Sequence, residues 1–154
     1  MDDAVGMEKG SGAWDEKEIF KSIRPCMFKN GEVQCYLNPN DFTLDVDGNI
    51  VYSSVAECDV MIEFSKFAYR IYDEGNYVYV SISNDAETIA KDPKFSYLPF
   101  TRNELGDCEK IYIGAYLGQI IDGKLRSAYS VVPTAEQTIG QFRTAAQANG
   151  EGYE

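Results

Sequence analysis

The sequence has no histidine, a single tryptophan, and only 14 basic residues against 25 acidic ones. Without histidine there is no imidazole for general base catalysis, and most transition-metal sites lose a favoured ligand. The net charge of −11 argues against binding nucleic acid by neutralising its phosphates. The four cysteines form no CxxC pair, so we expect reduced thiols and no zinc site.

Nucleotide-binding motifs and long apolar runs are absent as well. No GxGxxG or GxxxxGK[ST] pattern occurs, and no apolar run approaches the length of a membrane span. A hydrolase would need two carboxylates with separated pKa values in a cleft, and among 25 acids such pairs arise by chance. We therefore predict a non-enzymatic protein with no cofactor, no membrane contact and, from its opening residues MDDAVGMEKGSG, no signal peptide.

Aromatic and turn-forming residues dominate what is present. Eleven tyrosines and eight phenylalanines favour a β-rich fold with aromatic faces. Four turn sequences each separate two short apolar runs, which is typical of β-hairpins. They are NG at 30–31, DGN at 47–49, DEGN at 73–76 and IIDGK at 120–124. The last turn lies between the predicted strands KIYIGAY (110–116) and KLRSAYSVV (124–132).

Helical spacing is confined to the two ends of the chain. WDEKEIFKSI, Trp14–Ile23, predicts a short helix that ends before Pro25. Thr134 with Gln137 fits a capping box, which predicts a helix that extends to Asn149. The predicted inward stripe of this helix is Ile139, Phe142, Ala145 and Ala146.

The predicted fold class is α+β, mostly antiparallel β hairpins with one C-terminal helix and a short N-terminal helix. One β-rich domain is expected over residues 14–150, between a flexible lead-in at 1–13 and a tail at 151–154. Residues 84–107 predict a long irregular loop, which is a typical location for a binding surface.

The stretch DVMIEFSKFAYRIYDEGNYVYVSIS, residues 59–83, changes its hydrophobic phase. Alternate residues from 60 to 64 are apolar, and after Ser65-Lys66 the apolar positions have the opposite parity. A β-bulge at Ser65-Lys66 would rotate the following side chains to the other face. Two separate strands joined by a kink are the alternative.

Exposed aromatic residues and arginines in the loop and the late strands are the candidate contact residues, because tyrosine and arginine dominate binding hot spots. They are Tyr97, Phe100, Arg102, Tyr112, Tyr116 and Arg126. Tyr112, Tyr116 and Tyr129 are also candidates for a sugar- or protein-binding platform, with half-buried strand positions as the alternative.

The segment DVDGN resembles the first half of a calcium loop, with Asp45, Asp47 and Asn49 as weak candidate ligands. An EF-hand needs a glutamate six residues after the glycine, where this chain has Ser54. An acidic hairpin tip is therefore the favoured interpretation.

Several sequence blocks resemble a family of bacteriophage and prophage tail-fibre or receptor-binding proteins, related to the C-type-lectin-like fold. The blocks are PCMFKNGEVQCYLNPNDF, DVMIEFSKF, KIYIGAYLGQ and KLRSAYSVVPTAEQTIGQFRTAAQANGEGY. The resemblance implies a module of the virion, assembled in the bacterial host cytoplasm, that acts by protein or glycan surface recognition. It also implies a homo-oligomer whose partners are other virion proteins or a host surface receptor.

Members of this family carry further regions on both sides of the matching blocks, which leaves two interpretations of the chain. It is a piece of a longer tail protein, or it is a stand-alone acidic inhibitor of a bacterial defence system, similar to an anti-CRISPR protein. Mimicry of nucleic acid is one route for such an inhibitor. The second interpretation predicts a basic host defence effector as the partner and the host cytoplasm as the location.

Overall fold

The computed structural model of the chain describes residues 17–51, 58–101 and 107–153. Its fold is α+β, with mostly antiparallel strands, a short N-terminal helix and a C-terminal helix, which confirms the predicted class. The elements are α1 (Glu18–Lys21), β1 (Arg24–Lys29), β2 (Glu32–Asn38), β3 (Asp41–Asp45), β4 (Asp59–Ser65), β5 (Ala68–Glu74), β6 (Tyr77–Ser83), α2 (Ala86–Lys91), α3 (Leu98–Thr101), β7 (Lys110–Gly114), β8 (Gln119–Ile121), β9 (Lys124–Arg126) and α4 (Ile139–Gln147). None of the helices in these residues has the length and hydropathy needed to span a bilayer.

The chain divides into two compact units. Unit 1 consists of Phe64–Ile111 with the described part of Met1–Ile23, and unit 2 consists of Arg24–Glu63 with Tyr112–Glu154. The single domain over residues 14–150 stays a prediction. The predicted lead-in at 1–13 lies outside the described residues.

A five-stranded sheet with strand order β3-β2-β1-β4-β7 carries most of unit 2. Its central strand β1 pairs antiparallel with β2 on one side and with β4 on the other. Asn30 and Gly31 join β1 to β2 with φ angles of 53° and 83°, which confirms the turn predicted there. Beside the buried Met27 in β1, Cys26 is completely inaccessible to solvent.

The change of hydrophobic phase coincides with a change of sheet. β4 ends at Ser65 within the five-stranded sheet, and β5 begins at Ala68 in a two-stranded sheet with β6. The alternative of two separate strands is therefore confirmed. The apolar positions expected after Ser65-Lys66 include Tyr69 and Ile71, and this expectation is wrong at Ile71, which is 61% exposed, while Ala68 on the opposite face is buried.

The predicted loop at 84–107 contains two helices, so its irregular character is wrong for that part. Asp85 caps the N-terminus of α2, and its carboxylate accepts a hydrogen bond from the backbone nitrogen of Thr88 at 2.8 Å. α3 follows at Leu98–Thr101. A side-chain cap that sequence reading overlooked thus turns a polar stretch into a helix.

The C-terminal helix α4 begins later than predicted, because the sequence offers two capping boxes. Thr138 and Gln141 form the real one, with Gln141 Oε1 accepting from the Thr138 backbone nitrogen at 2.8 Å. The hydroxyl of Thr134 instead accepts from the backbone nitrogen of Ile120 at 2.8 Å. Ala145 and Ala146 are buried as predicted.

Two further boundaries differ from the sequence predictions. Ile139, at the start of α4, is exposed and does not belong to the inward stripe. The strand predicted over 124–132 is limited to Lys124–Arg126, and Ser130 has a φ of 59°, which an extended strand cannot contain. The turn before it is confirmed, with positive φ angles at Asp122 and Gly123.

Candidate functional site

The six predicted contact residues fall in different surroundings. Tyr97 and Phe100 belong to unit 1, whereas Tyr112, Tyr116 and Arg126 belong to unit 2. Arg102 lies outside the described residues.

Phe100 is buried, so its predicted exposure is wrong. The residue is 0% exposed, and its ring packs edge-to-face on Phe67 with 5.4 Å between the ring centroids. α3 turns this side chain inward, away from any binding partner. Tyr97 is half-buried, and the Nζ atom of Lys66 lies 5.1 Å from its ring centroid. Asp107 in turn holds this lysine at 2.7 Å.

Tyr112 belongs to a polar cluster around Glu63, whose side chain is completely buried. Arg24 donates to the Glu63 carboxylate at 2.6 Å, Tyr112 donates at 3.1 Å and Tyr36 at 3.2 Å. These four residues, hereafter the Glu63 cluster, come from the adjacent strands β1, β2, β4 and β7. The cluster therefore joins four neighbouring strands of the sheet through one carboxylate.

The contacts of the Glu63 cluster raise the pKa of two of its members, Tyr112 and Arg24. Burial raises the pKa of Tyr112 well above its usual value, and the hydrogen bond to Glu63 raises it further. The hydrogen bond to Glu63 also raises the pKa of Arg24, against a smaller opposing effect of burial. The Arg24 guanidinium lies 3.7 Å from the ring centroid of Tyr36. The phenol of Tyr112 stays neutral and bonded, so it acts within the sheet.

Arg126 is likewise engaged inside unit 2. Its Nε donates to Oδ1 of Asp59 at 2.9 Å, and the same oxygen accepts from the backbone nitrogen of Ser127 at 2.8 Å. Both charged side chains are largely buried. The ion pair fixes the chain after β9, which leaves the guanidinium little surface for another molecule.

Tyr116 lies in a row of three aromatic rings, hereafter the aromatic row, with Phe42 and Tyr129. The ring centroids are 6.2 Å apart between Phe42 and Tyr116, and 6.1 Å apart between Tyr116 and Tyr129. Both contacts are edge-to-face, a preferred geometry of aromatic pairs. Phe42 and Tyr116 are half-buried, while Tyr129 is 55% exposed.

The platform predicted from three tyrosines is thus divided between two structures. Tyr116 and Tyr129 meet in the aromatic row, and Tyr112 belongs to the Glu63 cluster. Burial raises the pKa of Tyr116, with smaller contributions from Tyr129 and Asp41. Its hydroxyl is consequently neutral at physiological pH and able to donate a hydrogen bond.

The weak calcium candidates form a closed turn. The Asp45 carboxylate accepts hydrogen bonds from the backbone nitrogen of Asp47 at 2.9 Å and from that of Asn49 at 2.8 Å. The side chain of Asn49 donates a third one at 2.9 Å, and these bonds lower the pKa of Asp45. Within the described ranges, no three acidic or cysteine side chains group as metal ligands.

Sequence reading missed the Glu63 cluster. Its one local signal is a glutamate inside the apolar strand DVMIEFS, where a solvated position is the ordinary expectation. The partners lie 27, 39 and 49 residues away along the chain, so no short motif contains them. A hollow of about 340 Å³ in unit 1, lined by Lys17–Phe20 and Ile82–Asn84, was also not foreseen.

Comparison of the chain with protein-family models, with curated proteins and with solved structures gives no match.

Proposed function

We propose that this chain is a non-enzymatic, tail-fibre-like module of a phage or prophage virion that recognises a protein or a glycan on another surface. The observation that carries the proposal is the aromatic row, in which the half-buried ring of Tyr116 contacts the exposed ring of Tyr129 on one side and the half-buried ring of Phe42 on the other. The setting in a virion rests on the resemblance of the sequence blocks to tail proteins. The partners under this proposal are other virion proteins or a host surface receptor.

The aromatic row has the properties of a recognition surface. Tyrosine offers a rigid apolar face with a polar tip, which suits both sugar rings and protein side chains. The row is also held in place, because the backbone nitrogen of Tyr116 donates to Oγ of Ser127 at 3.1 Å. Ser127 Oγ donates in turn to the carbonyl of Val60 in β4 at 2.8 Å. A surface that is already ordered loses little conformational entropy on binding.

The test is the binding of fluorescently labelled protein to an array of bacterial surface glycans and to a panel of intact Gram-positive and gut bacteria. We expect Tyr129→Ala to weaken binding about tenfold or more, because exposed tyrosines at the centre of an interface commonly contribute this much. Tyr129→Phe retains the ring and should lose less. Ile139→Ala, which truncates another exposed apolar side chain of unit 2, is the matched control and should bind as the unmodified chain does.

Two outcomes would contradict the proposal. One is the absence of binding to every glycan and every cell type. The other is a Tyr129→Ala variant that binds as tightly as the unmodified chain.

A second candidate function is an acidic inhibitor of a bacterial defence system, which the net charge of −11 and the pI of about 4.4 favour. A basic effector from the host should then be retained on the immobilised chain and be released by moderate salt, because ions screen surface charges. A variant whose surface acids are changed to amides should retain less of this effector. If the variant retains as much effector as the unmodified chain does, this function is contradicted.

A further inference from the structure

We infer that the outer edge of β6 pairs with β6 of a second copy of this chain, so that two β5–β6 hairpins join into a four-stranded antiparallel sheet. This inference goes beyond the proposed function and is independent of what the aromatic row binds. It rests on the exposure of the hairpin, on its unprotected edge and on the symmetry of its sequence.

The hairpin exposes apolar side chains on both faces. Four consecutive residues, Tyr77 to Val80, are exposed, with Val78 at 67% and Val80 at 65%. Val80 faces Ile71 across the hairpin, and Tyr79 faces Tyr72 with their rings stacked at 5.1 Å. Runs of exposed apolar residues mark interaction sites, because water contact with them is unfavourable.

The edge of β6 lacks the features that keep strands from associating. β5 pairs with β6 from Ala68↔Ser83 to Glu74↔Tyr77, and within the described part of the chain no strand pairs with the other edge of β6. The outer edge of β5 differs, since Tyr69 forms a two-way bridge with Ser96. Natural edge strands are commonly blunted by a lysine, a proline or a bulge. The sequence YVYVSIS contains neither residue, and its register runs without a shift.

A second copy is the occupant that fits this strand. A two-fold axis normal to the sheet places residues on the same face of the two β6 strands opposite one another. With Val80 on that axis, Val78 lies opposite Ile82 of the other copy, and Tyr79 lies opposite Ser81. Apolar side chains then continue across the junction on one face. Since β6 has no charged residue, the pairing brings no like charges together along the strand.

The charges at the tip select the antiparallel arrangement. Asp73 and Glu74 lie at the turn end of the hairpin, in a chain whose net charge is −11. Antiparallel pairing puts the two acidic tips at opposite ends of a seven-residue strand, roughly 20 Å apart at about 3.4 Å per residue. That separation exceeds the Debye length of about 8 Å at physiological salt. Parallel pairing would put the two tips side by side, where they repel.

The test is sedimentation velocity of the full chain over a range of concentrations, with circular dichroism as a check of folding. We expect a reversible change from monomer to dimer, since an edge of this length buries less than about 1,200 Å². Val80→Lys puts two lysines near each other across the axis and should weaken association tenfold or more. Ile139→Lys adds the same charge at an exposed position of α4 and should dimerise as the unmodified chain does.

Residue-resolved hydrogen exchange distinguishes pairing of the β6 edge with a second copy from pairing with another segment of the same chain. We expect the outward amides of Tyr77–Val80 to exchange quickly in dilute solution and slowly in concentrated solution. Slow exchange at every concentration in a monomer would overturn the inference, because another segment of the same chain would then cover the edge. A monomer at all concentrations, a trimer, or a folded Val80→Lys variant that still dimerises as tightly would also overturn it. None of these results depends on receptor binding, so the failure of either proposal can be recognised separately.

Discussion

The Glu63 cluster and the β5–β6 hairpin reverse the usual placement of polar and apolar side chains. Unit 2 buries a carboxylate completely, while the hairpin of unit 1 leaves Val78, Val80 and Ile71 exposed. In the cluster, three donors surround the carboxylate. Near the turn of the hairpin, apolar side chains are exposed on both faces, and no strand among the described residues pairs with the outer edge of β6. Residue type alone therefore does not decide burial; the availability of partners does.

The position of each strand explains this difference. β4 carries Glu63 and lies between β1 and β7, so side chains from neighbouring strands can reach the carboxylate from both sides. β6 has one neighbouring strand in the described chain. A strand inside a sheet can satisfy a buried charge internally, whereas an edge strand can be completed by another molecule.

The largest expected effect is the loss of the buried carboxylate. Glu63→Ala leaves the hydroxyls of Tyr36 and Tyr112 without their acceptor and removes the partner of Arg24. We expect the free energy of unfolding to fall by about 2–4 kcal/mol, because two part-buried hydroxyls lose their acceptor, while the guanidinium of Arg24, which is 45% exposed, can still be solvated. Urea unfolding measures this loss. Glu63→Gln keeps the shape and should lose less; a loss below about 1 kcal/mol for alanine would show that the cluster does not stabilise the sheet.

A smaller effect is expected when one donor of the Glu63 cluster is removed. Tyr112→Phe deletes the hydrogen bond of 3.1 Å and retains the ring, which packs on Phe28 with centroids 4.4 Å apart. Because bonds to a charged group are stronger than neutral ones, we expect a loss of about 1.5 kcal/mol in the same urea experiment. Tyr129→Phe, an exposed tyrosine of the same unit, is the control and should change stability little. Equal losses of stability in Tyr112→Phe and Tyr129→Phe would mean that the hydrogen bond from Tyr112 to Glu63 does not stabilise the fold.

The pH dependence of stability gives a further comparison. Burial and Glu63 raise the pKa of Tyr112 in the folded chain above its ordinary value of about 10. Above that pH the unfolded chain releases the phenolic proton while the folded chain retains it, so stability is complete below pH 10 and falls as the pH rises further. Tyr112→Phe should show a shallower fall between pH 10 and 11. If stability falls with the same slope in the unmodified chain and in Tyr112→Phe, the raised pKa of Tyr112 is contradicted.

The smallest effect is expected in the hairpin. Val78→Thr keeps a β-branched side chain at an exposed position, so the unfolding free energy of the monomer should change by less than about 0.5 kcal/mol. The measurement belongs in dilute solution, where the β6 edge is not paired. Val60→Thr is the matched control, since Val60 is buried in the core with Met27 and Leu37 and should lose considerably more. A loss above about 1 kcal/mol for Val78→Thr would mean that the hairpin packs within its own chain.

Local signals in the sequence predicted some of the features that depend on local contacts, although the Asp85 cap of α2 was missed. The turn at Asn30-Gly31 was predictable because two consecutive residues with positive φ favour Asn-Gly. Two consecutive patterns of the form T-x-x-Q, at Thr134 and at Thr138, made the helix start ambiguous. The choice between them depends on the bond from Ile120 to Thr134, a contact that no helix rule contains.

Features that depend on distant contacts were not predictable from the sequence. Phe100 follows a proline in the predicted loop, and only its packing on Phe67 explains its burial. Glu63 looks like a solvated position until the donors from three other strands are known. The candidate site was predicted in part, since Tyr116 lies in the aromatic row beside Tyr129. Tyr112 and Arg126 have the residue types of contact sites, but their polar groups bind within the fold.

Because Cys26 is buried, its reaction with a thiol reagent can be used to measure local opening of the central strand β1. Cys26 is 0% exposed in a strand that pairs with β2 and β4, whereas Cys35, Cys58 and Cys108 are partly accessible. A thiol-modifying reagent reaches Cys26 when the middle of the sheet opens, so its rate of alkylation records how often that happens. The alkylation rate of this native thiol thus reports how often the sheet opens, without any added label.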